Sequence, residues 1–160
     1  MKLSLVLRDL HHHENQLAQH LLALAQRHRA DHEIHHVGRD LAQWCCAHVG
    51  ALAEAGDRYG LDLDPEPQSD FSMVGRLQDE DGRSAARPNE AELQLLHDLR
   101  HLCTDATGVR LDWETVSQAA QAARDAALLG LAQRCQQETE RLIQWADGKL
   151  KESSPQILTT

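Results

Sequence analysis

The chain reads as all-α, a four-helix bundle made of two antiparallel helical hairpins joined by one long crossover, and three observations predict it. Hydrophobic residues make up 41% of the 160 positions but aromatics only 3%, so a core must be built from Leu, Ala, Val and a few Trp. Ala and Leu are strong helix formers, whereas strands favour β-branched and aromatic residues. Apolar residues recur at helical spacing through four segments. Between the second and third segments the periodicity fails from Leu61 to Pro88, far longer than the loop an up-and-down bundle needs.

The first helix is expected over about 4–29, with Leu3, Leu10, Leu17, Leu21 and Leu24 on one stripe. Ala30-Asp31 reads as a tight turn, and Asp31 as the N-cap of a second helix over 32–57. That helix carries Ile34, Val37, Leu41, Cys45, Leu52 and Ala55 on one face and stops near Gly56 or Gly60. Pro65, Pro67, Gly75, Gly82 and the acidic Asp79-Glu80-Asp81 mark the crossover, 61–88. A third helix over 89–107 starts with Asn89 as cap and Glu90 and Glu92 in its first turn. Leu95, Leu96, Leu99, Leu102, Cys103 and Ala106 line it, and Gly108 ends it. Asp112 caps a fourth over 112–147, lined by Val116, Ala120, Ala123, Ala127, Leu131, Cys135, Leu142 and Trp145. Residues 1–150 thus form one helical domain. Ser153-Ser154-Pro155 is expected to end any helix and leave 151–160 as a tail.

Two hairpins joined by one long crossover is the ferritin-like arrangement within the bundle class. The stretch Leu10 to Leu21, with Glu14-Asn15-Gln16-Leu17, resembles the first helix of ferritin-like stress proteins of the bacterial YciF type. Arg124-Asp125-Ala126-Ala127-Leu128-Leu129-Gly130-Leu131-Ala132-Gln133 is similar to a later helix of that group, and Trp145 to Leu158 resembles an uncharacterised bacterial ferritin-like family. The resemblance covers about half of the chain. It implies the bundle fold and a stress setting.

A ferritin-type di-iron site needs carboxylates from four inner faces and two Glu-x-x-His pairs. This chain has one such pair, Glu33 and His36, with His36 facing outward, and its last histidine is His101. Gln136-Gln137 stands where the resembled group carries Glu-His. A reduced set remains. Glu14 and His48 lie near the inner stripes at similar distances from the turn, so they share a level in an antiparallel hairpin. Glu138 falls on the inner face of the last helix. Glu14, His48 and Glu138 could hold one metal ion or form a hydrogen-bonded cluster that fixes helix register. His13, His20 and His28 lie on or beside the inner stripe of the first helix, while His11 and His12 point away. If His13, His20 and His48 are buried and neutral, their pKa values are depressed and mild acid weakens the fold. His97 and His101 are spaced i, i+4, as two imidazoles chelating a surface metal would be, and face away from the leucine stripe.

The net charge of −9 disfavours nucleic acid or an anionic membrane as partner, and no apolar run is long enough to span a bilayer. The first residues lack a signal-peptide pattern, and four cysteines without a Cys-x-x-Cys pair suit a cytoplasmic setting. No phosphate loop or nucleophile elbow is present, and Cys46, the cysteine off its helix's main stripe, has no basic neighbour in sequence to activate it, so no catalytic residue is expected. The sequence supports a non-enzymatic bundle acting through protein contacts, with no required cofactor. The alternative is a metal-binding or di-iron redox protein with a degenerate site for iron, manganese or zinc. The small residues of the fourth helix suit a homodimer surface, and Ile157 and Leu158 suit a tail that docks on the bundle or on a protein partner.

Overall fold

The computed structural model describes residues 2–68 and 88–160. Among the described residues it is all-helical, with α1 (Lys2–Arg27), α2 (His32–Asp57), α3 (Pro88–Ala122) and α4 (Ala126–Leu158) and no strand. The remainder of the expected crossover, 69–87, lies outside the described residues.

The first hairpin follows from its sequence. Leu3, Leu7, Leu10, Leu17, Leu21 and Leu24 are buried along α1. Asp31 is extended and its carboxylate accepts the Ile34 amide at 3.1 Å, which caps α2 as expected. Gly38 sits at a close approach of the two helices, since a Cβ there would stand 3.1 Å from Cβ of Ala25. The Nδ1 of His35 meets the Ala25 carbonyl at 3.0 Å, and further along His48 meets Glu14. Beyond α2, the segment 61–68 lies against α1. Asn15 Oδ1 accepts the Gln68 amide at 2.9 Å, and Nε2 of His11 meets the Asp64 carbonyl at 2.8 Å. His11 is therefore buried rather than outward, because this segment covers it.

The second hairpin departs from the expected boundaries. α3 runs through both Gly108 and Asp112, because Leu99, Leu102, Ala106, Val109, Trp113, Val116 and Ala120 form one unbroken heptad stripe of buried residues. A single glycine costs a helix only about 1 kcal/mol, less than the burial of that stripe returns. The turn falls instead at Arg124, whose φ of 57° is left-handed. Asp125 then caps α4 by accepting the Leu128 amide at 3.0 Å. Nor does Pro155 end α4, which continues to Leu158. A proline that close to the C-terminus removes one amide donor, and its orphaned acceptor on Lys151 lies at an exposed residue that water can reach. Ser153 continues the buried stripe of α4, whereas Leu158 is exposed.

α1 packs on α2 and α3 packs on α4; across the hairpins α1 meets α3, and α2 touches α4 lightly. Polar contacts join the halves. The Tyr59 hydroxyl donates to Asp125 at 2.5 Å, and Lys149 donates to Glu33 at 2.7 Å. Along α1 and α3, His13 pairs with Asp112 at 2.7 Å, His20 with Asp105 at 2.5 Å, and both Arg27 and His28 with Asp98 at 2.7 Å. Burial resists a charge on Asp98, but hydrogen bonds from His28 and Arg27 prevail and hold its carboxyl down to about 2. No helix among the described residues is long and apolar enough to cross a membrane.

Candidate functional site

One side chain from each helix meets in the interior: Glu14 of α1, His48 of α2, Trp113 of α3 and Glu138 of α4. Heptad spacing puts each on its inner stripe, and the tight turn at 28–31 brings Glu14 and His48 to one level. Glu14 is fully buried and His48 is 4% exposed. The imidazole of His48 lies between the two carboxylates, with Nδ1 2.8 Å from Oε1 of Glu14 and Nε2 2.9 Å from Oε2 of Glu138. The indole Nε1–H of Trp113 donates to the same Glu14 oxygen at 2.7 Å. Its ring meets the imidazole edge-on, with centroids 5.9 Å apart. The other Glu14 oxygen, Oε2, is buried and has no hydrogen-bond partner among the described residues.

All three members of the expected set, Glu14, His48 and Glu138, thus come together. The arrangement has chemical consequences. A cation ligated by His48 needs a free ring nitrogen, and both are engaged by carboxylates. At α3, where a further carboxylate could complete a metal shell, stands an indole, which can only donate. Glu138 reaches the rim, its side chain 29% exposed, so the chain of hydrogen bonds leads from the sealed interior at Glu14 to the surface.

Burial opposes a charge on His48, but hydrogen bonding to Cys135 and Glu14 together with the Glu14 charge outweighs it, and its pKa is raised to about 11. Of these we assign the main part to Glu14, whose carboxylate is a far stronger acceptor than a thiol. His48 is therefore a cation donating from both ring nitrogens. This corrects the expectation of a buried neutral imidazole, because two carboxylates flank it. His13 and His20, by contrast, are not buried, their side chains being 44% and 35% exposed beside aspartates.

The sign of the pH dependence reverses accordingly. A group with a raised folded pKa contributes fully below its unfolded value of ~6.5, and that contribution is lost as pH rises through about 11. Burial also raises the thiols of Cys45, Cys46 and Cys103, adding losses of the same sign only at higher pH. Urea midpoints measured from about pH 7 to 8, where ordinary thiols with a pKa of ~8.5 remain mostly protonated, should fall with pH. His48→Gln should flatten the slope, and a wild-type midpoint that rises over this range would refute the assignment. The same shifts keep these thiols protonated and weakly nucleophilic.

The other expected metal pair, His97 and His101, has rings 6.3 Å apart, and both side chains are exposed, 71% and 58%. The group whose donor atoms converge among the described residues is different: His20, His101 and Asp105, with one donor from each within 4.8 Å of the others. Spacing along single helices does not reveal it, because His20 comes from α1. The signal was present as matched seven-residue spacings, His13, His20 and Arg27 on one helix and Asp98, Asp105 and Asp112 on the other. Trp113 was also missed, since it falls beside the position expected to cap a new helix. Glu33 and His36 are both exposed, and Glu33 is engaged by Lys149 and Trp145.

Comparison with protein-family models, with curated proteins and with solved structures finds no match for this chain.

Proposed function

We propose that this chain is a ferritin-like bundle whose centre is a hydrogen-bonded lock rather than a redox site, and that it acts through protein contacts rather than catalysis. The observation that carries the reading is the mutual engagement of Glu14, His48, Glu138 and Trp113, one from each helix. These residues occupy the interior position where a metal-binding bundle directs its ligands, and there they bond to one another. The pairing of residue 25 with 35 and of 14 with 48 supports antiparallel helices in the first hairpin. The ring of neighbours α2, α1, α3, α4 supports a ferritin-like order. Surface leucines, among them Leu5, Leu93, Leu111 and Leu158, offer apolar contact points for a partner or a second copy. The stress setting and cytoplasmic location rest on the sequence reading alone.

The orphan oxygen of Glu14 favours a second reading, a degenerate metal site, because a buried carboxylate oxygen without a partner is unusual. Elemental analysis of untagged protein after mild chelation separates them. The lock predicts iron and manganese far below one ion per chain. One retained ion per chain, lost in Glu14→Gln, would replace the first reading by the second.

A further inference from the structure

Outside the central cluster, the α1–α3 seam brings a donor set together from opposite sides. His20 comes from the first hairpin, and His101 and Asp105 from the second, one helical turn apart. The Nδ1 of His20 lies 2.5 Å from Oδ2 of Asp105, and Nε2 of His101 lies 3.8 Å from that same oxygen. The two imidazole rings are 5.1 Å apart at their centroids. The Nδ1 of His20 and the Oδ2 of Asp105 are shielded from solvent, yet they are not aligned as a hydrogen bond, and among the described residues no other group hydrogen-bonds to them. Two shielded polar atoms facing each other off axis, beside a third donor, is the arrangement a bound cation satisfies.

We propose that His20, His101 and Asp105 form a binding site for a divalent transition-metal cation, zinc foremost, that clasps α1 to α3. Two imidazoles and one carboxylate are a borderline donor set that suits zinc and its neighbours rather than magnesium or calcium. Donors about 2.1 Å from a tetrahedral ion stand roughly 3.4 Å apart, between the 2.5 Å and 3.8 Å separations present here, so small rotations of these side chains bring the set to ligating distances. Asp105 also lines a cleft of about 280 Å³, together with His13, Leu17, Val109 and Asp112. Gly108 borders this cleft, and a Cβ there would meet nothing within 4 Å. The cleft supplies room for water or a small anionic ligand beside Asp105. This site is separate from the central lock in residues and in level, so either proposal can fail without the other.

Because the site joins two hairpins, it makes a different demand from a chelate between His97 and His101, which would use α3 alone. Both share His101, so His20 and His97 are the residues that tell them apart. The experiment is calorimetric titration of zinc into untagged, reduced protein at about pH 7.5, where imidazole is a competent ligand, with circular dichroism to establish that each variant is folded. The wild type should show one tight site that raises its melting temperature. His20→Asn and Asp105→Asn should each weaken that site by at least about tenfold, the lower bound for disturbing metal ligation, and abolish the thermal shift, while His97→Asn leaves both unchanged. If His97→Asn removes the tight site and His20→Asn does not, the ion belongs to the single-helix pair and the clasp is wrong. If the wild type binds zinc no more tightly than the combined His20→Asn and Asp105→Asn variant, with its remaining surface histidines such as His32 and His36, the clasp is equally wrong.

Discussion

Glu14→Leu is expected to lower unfolding free energy by about 3–5 kcal/mol, the range for removing one partner of a buried ion pair. The carboxylate is fully buried and receives both the His48 imidazolium and the Trp113 indole N–H. Leucine fills similar space but leaves a charged ring and a donor in the interior with no acceptor on that side. Adding His48→Leu removes the stranded charge, so the double variant should be more stable than Glu14→Leu alone. Urea unfolding at neutral pH measures both, provided the dependence on urea is unchanged between variants. A stabilised Glu14→Leu would show that the carboxylate is kept at a cost to the fold. That result would favour ion binding over the lock.

The second large effect is expected at Trp113. It is the largest fully buried side chain among the described residues and meets the cluster to which each helix contributes one side chain. Trp113→Ala opens a cavity and should cost about 3–5 kcal/mol. Trp113→Phe separates packing from hydrogen bonding. It keeps most of the ring volume but leaves Glu14 with one donor fewer, for which about 1–3 kcal/mol is expected. Thermal or urea unfolding of the two variants gives the ratio. If Phe is as costly as Ala, the indole N–H rather than ring volume carries the residue's contribution.

The helical class and the first hairpin were legible because their signals are local. Asp31 has the side chain an N-cap needs, and Glu14 and His48 are matched by counting outward from a short turn. Glu138 could be placed on an inner face but not at a level, since the long connection gives no ruler between hairpins. The second hairpin misled for physical reasons. Gly108 looks like a stop, yet the heptad stripe running past it from Ala106 to Val109 and Trp113 outweighs its low propensity. The actual turn carries Arg124 in a left-handed conformation with none of the usual Gly or Asn to announce it. Pro155 is a strong breaker in mid-helix but a weak one this near an end. The His20, His101 and Asp105 group was invisible along any one helix, because convergence there is a property of two helices in register.

The rungs between α1 and α3, at 13 with 112, 20 with 105, and 27 and 28 with 98, recur with a seven-residue period on both helices. Such a ladder has translational symmetry. Sliding α3 by two turns would pair 20 with 112 and 27 with 105, keeping most of the charge complementarity while changing the molecule. The symmetry is broken at one place. Seven residues to either side of Trp113 lie Ala106 and Ala120, and seven to either side of Glu14 lie Leu7 and Leu21. A slipped alignment would set the carboxylate against a methyl group, leaving it His48 alone, and the indole N–H against a leucine that cannot accept it. Repetition lets the helices find each other, and one unrepeated pair tells them where to stop.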